Sequence, residues 1–508
     1  MQKSEQIIKL INSLSKGEKR NFKILASRTG KKDKNYVLLF EWIEKKRSLD
    51  EKAFLKKNPA IKKAQVPNIK NNLYKQILRS IREISKENYE EIKTREYFDF
   101  AKILYSKGDY QSALNYLEKA KKLGAKIKNS TLIFLATDFE KQIESQHVTG
   151  SMNNKAIHLA SYSSQLLRNI QLTNELSNLS LLLYGRYLKK GFTKNEYEEE
   201  RLSEFFFDHL PDFSKADLGF EQKLYLYQSY VWYYYMLRNY TENFRYALKW
   251  LYLFDEYPEM KNINKTYYLR ALHNVLTALF SANKKTKFLE YYNMLTSIEG
   301  DESMQWVTNE KSMFMVFKFV HSINKIFLFI EYEEVGEDLL HYAEVIDNNS
   351  YNWDISRQVV FYYKLACVYF GRANYEKALY WLNKIINENL PDTKEDIQSF
   401  ARILSLITHY ELGNDLHITY QIISTYRFLL KMKQLGKVQR AIFNFLRRSA
   451  KFDRNNLEDE FVNLKGQLEE IGKDPYENRA FLYLDLLSWL DSRINKISMV
   501  EAIKENML

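Results

Sequence analysis

The clearest hydrophobic pattern in the chain lies in QVPNIKNNLYKQILRSIREISKEN. There Leu73, Ile77, Ile81 and Ile84 recur at spacings of four, four and three, and so share one face of a helix that begins near Pro67. Lys75, Arg79, Arg82 and Lys86 keep the same period about half a turn away, which makes the opposite face basic. A second basic line, Lys16, Arg20 and Lys23, follows helical spacing through SKGEKRNFKILASR. Further along, apolar runs at helical period predict helices near residues 263 to 282, 285 to 297, 308 to 330 and 332 to 347.

Three segments repeat one apolar pattern. They are GDYQSALNYLEKA from Gly108, ENFRYALKWLYLF from Glu242 and ANYEKALYWLNKI from Ala373. Aligned, they place Tyr110, Ala113, Leu114, Tyr116 and Leu117 with Phe244, Ala247, Leu248, Trp250 and Leu251, and with Tyr375, Ala378, Leu379, Trp381 and Leu382. Each follows a helix-like run rich in Tyr, Phe and Leu, such as EYFDFAKILYSKG, SYVWYYYMLRN and VVFYYKLACVYFGR. A small Ala lets two helices approach closely, and the large residues around it fill the space between pairs.

This pattern resembles the tetratricopeptide repeat, best matched by Gly108, Asp109, Tyr110, Ala113 and Ala120. The resemblance implies an all-α chain, an α-solenoid of tandem antiparallel helix hairpins. The key alanines stand 134 and 131 residues apart, which fits four units of the usual length in each interval. The helix pattern between Ala247 and Ala378 allows only three, so longer, irregular units are expected. The run from ARILSLITHYELGN to YRFLLK, with a closing Leu-Ser-Trp-Leu and the amino-terminal LSKGEKRNFK, is also similar to a group of bacterial helical-repeat proteins. That similarity implies architecture and no activity.

Composition agrees with helices: six prolines and fifteen glycines occur, with no proline between Asn68 and Leu210. The 508 residues, 45% of them hydrophobic, are enough for a large interior. The amino terminus has too short an apolar run for a signal peptide, so a cytoplasmic location is expected. The most apolar stretch, Phe314 to Ile330, carries Lys318, His321 and Lys325, which favours a buried helix over a membrane span. Charge is uneven. Residues 1 to 90 hold 23 Lys and Arg against 10 Asp and Glu, while the rest is close to neutral. A basic helical module over 1–90, a tetratricopeptide-like array over 91–391 and a degenerate helical cap over 392–508 are therefore expected.

The basic faces admit three readings: solvated outer faces of helices, a surface for nucleic acid or another polyanion, or docking against acidic protein. Candidate polyanion contacts are Lys16, Arg20, Lys23, Lys75, Arg79, Arg82 and Lys86. Acidic segments of the chain itself, Glu196 to Glu200 and Glu331 to Asp338, could serve the third. First-helix positions aligned with the repeat cores are Phe98, Lys102, Trp232, Met236, Tyr363 and Cys367; they are either a peptide groove or packing between hairpins. The eight histidines show no metal-ligand spacing, Cys367 is the single cysteine, and the acidic loop from Asp347 to Asp354 lacks the glycine and distal glutamate of a calcium loop. No phosphate-binding glycine motif or nucleophile elbow occurs. The chain is thus expected to be no enzyme, to need no cofactor, and to act as a scaffold or adaptor for a protein or peptide. Nucleic-acid association through residues 1 to 90 is the alternative, and oligomeric state stays open.

Overall fold

The computed structural model describes residues 3–28, 35–147, 154–214, 216–301, 306–332, 336–351, 353–387, 395–431, 436–449, 457–482 and 484–506. Among them every regular element is helical and no strand occurs. The chain divides into two compact units, Met1–Gln171 and Leu172–Leu508. The first contains α1 (Lys3–Ser13), α2 (Lys16–Arg28), α3 (Asn35–Lys46), α4 (Glu51–Lys57), α5 (Val66–Asn88), α6 (Glu90–Ser106), α7 (Tyr110–Lys126) and α8 (Ser130–His147). The division falls within the long α9 (Lys155–Lys190). The second unit continues with α10 (Glu196–His209), α11 (Phe220–Met236), α12 (Tyr240–Glu256), α13 (Met260–Ile263), α14 (Lys265–Ser281), α15 (Lys285–Ser297), α16 (Thr308–Phe329) and α17 (Gly336–Asp347). It ends with α18 (Ile355–Gly371), α19 (Tyr375–Asn387), α20 (Glu395–Glu411), α21 (Asp415–Lys431), α22 (Lys437–Ser449), α23 (Leu457–Gly472), α24 (Leu486–Ile494) and α25 (Met499–Asn506).

The turns after α6, α7, α11, α14, α17, α18 and α20 share one construction. Two residues past each helix a residue takes positive φ: Gly108, Lys128, Arg238, Asn283, Asn349, Ala373 and Gly413. Its N–H donates three residues back and the next N–H five residues back, as in Gly108 to Tyr105 and Asp109 to Leu104, both about 3 Å. This left-handed cap supplies donors to carbonyls that the helix end would leave unpaired. In four turns the next residue, Asp109, Asn129, Asn239 or Asn374, accepts from a backbone N–H three positions on and starts the following helix. Stop and start signals are thus adjacent, and in these turns three residues separate consecutive helices, which pack on each other.

Packing explains the repeated alanines. Ala113, Ala247 and Ala378 are all fully buried, and the helices they belong to pack against the preceding ones in the pairs α6–α7, α11–α12 and α18–α19. Unit 1 holds two separate apolar clusters. One, built from Phe22, Leu39, Phe40, Phe54, Leu73 and Ile77, belongs to α1–α5, and the other, with Ala101, Ala113, Leu117 and Phe139, to α6–α8. In unit 2 one cluster runs from Phe220 to Ile503, where burying a single Phe or Leu contributes about 1.5–3 kcal/mol. The apolar α16 lies inside it, with Phe314, Phe319 and Ile323 buried. By length and composition α16 could cross a membrane, but most of it is covered by the rest of its own unit.

The helices expected around residues 263 to 347 are present with two differences. Asn264, at φ −120°, separates the short α13 from α14 instead of continuing one helix. The last of them is described from Gly336 onward, not from residue 332. Unit 2 also ties its beginning to its end, since the Arg238 guanidinium donates to Asn478 Oδ1 at 2.6 Å and to the Pro475 carbonyl.

Gly413 holds φ +68° with nothing near the place a Cβ would occupy, so Gly413→Ala carries only a backbone penalty, about 1–2 kcal/mol. Gly371 differs: an added Cβ would stand 2.5 Å from the Tyr332 ring. Urea unfolding followed by circular dichroism should show both variants destabilised. Ala373→Gly should be neutral or stabilising, because Ala373 stands at φ +54°.

Candidate functional site

In unit 1, α6 and α8 present their faces to a surface groove of about 420 Å³. Its floor is apolar, formed by Ile92, Phe98, Ala120, Leu132, Leu135 and Ala136; Arg82, Arg95 and Asp99 stand at its edge. Leu135 is 44% exposed. Phe98 meets Phe139 edge-on at 5.7 Å, and Lys102 Nζ lies 5.0 Å from the Phe98 ring centre. Arg82 pairs with Asp99 at 3.3 Å and Arg95 with Glu91 at 2.5 Å, all four largely exposed. Such pairs are worth little in water and exchange readily for another carboxylate.

The helices behind this groove are held by a less exposed network. Lys121 Nζ stands 2.8 Å from Glu140, which also lies 3.4 Å from Lys155; Lys155 bonds Glu144 as well. Desolvation pulls the Lys121 and Lys155 amines down, but the carboxylates outweigh it and both end above the ordinary lysine range.

The basic residues separate into two places. Lys16, Lys19, Arg20 and Lys23 surround a shallow depression of about 500 Å³ on α2, with Ile24, Ser27 and Glu44. Lys23 is paired there with Glu44 at 2.8 Å. On α5, Lys75, Arg79 and Arg82 are exposed on the side opposite the buried Leu73 and Ile77; the Lys86 side chain lies outside the described residues. Asn21 Nδ2 donates to the carbonyl and hydroxyl of Ser80, both at 3.2 Å, and docks α2 on α5.

The six aligned first-helix positions fall in two units, Phe98 and Lys102 in the first and Trp232, Met236, Tyr363 and Cys367 in the second. Phe98 and Lys102 belong to the groove region of unit 1. Trp232 is half-buried, stacked on Tyr187 at 5.3 Å and against Tyr184 at 4.9 Å. Met236 and Tyr363 are buried, and burial pushes the Cys367 thiol up to about 12, against the pull of Lys364. The acidic segments also have local partners. Lys194 N donates to Glu198 in the first, and residues 333–338 of the second lie outside the described side chains. In the acidic loop, Asp347 accepts from Tyr380 and Lys384 while Asp354 caps α18.

One cluster escapes any reading by spacing. His273 on α14, His321 and Asn324 on α16 and Lys364 on α18 form a hydrogen-bonded chain across three helices, at 2.9, 3.3 and 2.7 Å in that order. An ammonium only donates, so Asn324 turns Oδ1 to Lys364 and Nδ2 to His321 Nδ1. His321 then carries its proton on Nε2 and donates to His273 Nδ1, leaving the His273 proton on Nε2. Phe317 stacks on His273 at 4.2 Å. Burial holds the His273 imidazole down to about 3 and His321 well below the ordinary histidine range, with Arg270 and Lys364 adding to the effect at His273. The two residues are 48 positions apart, which hides the pair from any motif.

No family model matches the chain, and no curated protein matches it. Among the described residues no group of three or more His, Cys, Asp and Glu is placed to hold a metal ion.

Because His273 is depressed in the folded state, the unfolded chain binds more protons between about pH 6.5 and pH 3. The contribution of neutral His273 to the stability of unit 2 is therefore full above pH 6.5 and falls as pH drops through that window, by about 1.4 kcal/mol per pH unit. Urea titrations across this range should show the slope, reduced in His273→Gln; an equal slope in that variant would refute the assignment.

Proposed function

We propose that the chain is a non-catalytic adaptor that holds a peptide segment of a protein partner in the groove between α6 and α8. In this reading the helices form an α-solenoid of tandem antiparallel hairpins of tetratricopeptide type. The paired packing around Ala113, Ala247 and Ala378 and the recurring left-handed turns support it. The observation that carries the functional reading is the apolar groove lined by Phe98, Leu132 and the exposed Leu135, with Arg82 and Arg95 at its edge.

Charge selects the partner. Unit 1, residues 1 to 171, holds 35 Lys and Arg against 18 Asp and Glu, a net of +17, while the remaining residues hold 41 against 46. A field of that sign draws an acidic segment, and the apolar floor then takes a bulky side chain from it. Short fluorescein-labelled peptides that combine Leu and Phe with Asp and Glu should bind the full chain more tightly than the same peptides with Lys. Leu135→Asp, at an exposed position, should weaken that binding by about tenfold or more. Equal binding of acidic and basic peptides, or no effect of Leu135→Asp, would end this reading.

A second reading rests on the depression over α2, where Lys16, Lys19, Arg20 and Lys23 converge. There the chain contacts phosphates of a nucleic acid. Binding of labelled RNA or DNA should fall steeply with salt, and Lys16→Glu with Arg20→Glu should lower the slope of log affinity against log salt by about two. A salt-independent affinity, or an unchanged slope, would remove it.

A further inference from the structure

The near neutrality of the chain beyond residue 90 conceals a second basic run. From Leu416 to Phe452 there are eight Lys and Arg and no Asp or Glu. This run takes in α21 after its first residue and the whole of α22. Within it, α21 is apolar on two opposite sides. Ile418, Ile422 and Leu429 are buried in the core of unit 2, and α21 packs on α20 and α22. On the other side Tyr420, Ile423 and Leu430 are 79%, 45% and 51% exposed. With the exposed Arg427 they stand at spacings of three, four and three, the period of a seam that a second helix fills. The seam is about 15 Å long. Lys431 borders it on one side. On the other side Arg447 of α22, also exposed, lies 5.4 Å from the ring centre of Tyr426. Among the described residues neither Arg427 nor Arg447 forms an ion pair.

We propose that this face of α21 docks an amphipathic helix of a protein partner, one whose apolar stripe is bordered by Asp and Glu. The surface belongs to unit 2 and is additional to the groove between α6 and α8. A helix laid on the seam covers Tyr420, Ile423 and Leu430 and takes the Arg427 charge out of water, which requires a carboxylate opposite it. Lys431 and Arg447 occupy the flanks, where charge selects the partner and its orientation in paired helices. A second copy of the chain would bring the same cations, so like charges oppose self-pairing through this face. Nucleic-acid phosphates would engage the cations but leave Ile423 and Leu430 without an apolar partner. An anionic bilayer presents a plane, whereas the apolar residues here form a line one helix wide. The exposed residues of the neighbouring α22 are Lys437, Arg440, Asn444 and Arg447, all polar.

The test uses the full-length chain carrying Leu135→Asp, so that the groove of unit 1 does not contribute. The probes are two fluorescein-labelled synthetic peptides of about three heptads, with Leu at the seam positions and either Glu or Lys beside them. Fluorescence anisotropy is expected to show the Glu peptide bound about tenfold more tightly than the Lys peptide, or better. Ile423→Asp with Leu430→Asp should weaken the Glu peptide by about tenfold or more, and Arg427→Glu with Lys431→Glu should invert the preference. All four replaced side chains are exposed, so circular dichroism should be unchanged. The inversion is a gain of binding to the Lys peptide, which a damaged fold would not produce. Equal binding of the two peptides, indifference to the aspartates, or an unchanged preference in the double glutamate variant would overturn the proposal. So would binding of phosphatidylserine vesicles or DNA that the same variants abolish, or a dimer in sedimentation that Leu430→Asp dissolves. Since Leu135→Asp is present throughout, failure here leaves the groove reading of unit 1 standing.

Discussion

The left-handed residue that closes one helix and precedes the cap of the next is the constraint on which the pairing of helices rests. A helix end exposes carbonyls that need donors, and a residue at positive φ brings two N–H groups back onto them. An Asp or Asn at the following position accepts from the third N–H beyond it, so the new helix starts at once and packs on the old one. The apolar sequence is consequently free to drift. Glycine is the residue suited to positive φ, yet Arg238, Lys128, Asn283 and Ala373 all occupy it. At Arg238 the side chain compensates, since the guanidinium reaches Asn478 and Pro475 at the far end of the same unit.

Much of the fold could be read from the sequence because it depends on local period. The basic and apolar faces of α5 follow from spacing alone, and the buried Leu73 and Ile77 lie opposite exposed Lys75 and Arg79 as the period requires. The three alanines were legible for the same reason. The turns held a signal that the core pattern did not use: in Gly-Asp, Lys-Asn, Arg-Asn, Ala-Asn and Gly-Asn pairs, an Asp or Asn follows a residue that stands two past the helix end and three past a Tyr, Phe or Ala. It was easy to overlook because only two of those five pairs begin with glycine.

The candidate sites were less legible, since a site depends on which helix faces cover each other. Phe98, Trp232 and Tyr363 are equivalent by alignment, but Phe98 borders a groove, Trp232 stacks on Tyr187 and Tyr363 is buried. The difference is what packs on each first helix, a long-range property that spacing within one repeat does not contain. The groove also depends on Leu132 and Leu135 of α8, a helix with no counterpart in the aligned cores. The charge asymmetry was visible from composition, yet its division into a depression on α2 and a separate exposed face on α5 needed coordinates. The histidine pair gave no sequence signal, because hydrogen bonds between helices 48 residues apart leave no period.

The chain from Lys364 to His273 shows how polar groups inside a helical array restrict its assembly. Each link has a fixed direction, set at one end by an ammonium that can only donate. Sliding α16 by one position against α14 or α18 would move His321 and Asn324 off their partners and leave desolvated donors and acceptors unpaired, at about 1–3 kcal/mol each. Apolar side chains at the same positions would tolerate such a slip more easily, because apolar contact has no direction. Depressed imidazoles suit this role, since a neutral ring transmits orientation while a charged one would need a counter-ion that the described surroundings do not supply. The cost is concentrated at the terminal amine, where the network demands a donor and the surroundings desolvate its charge.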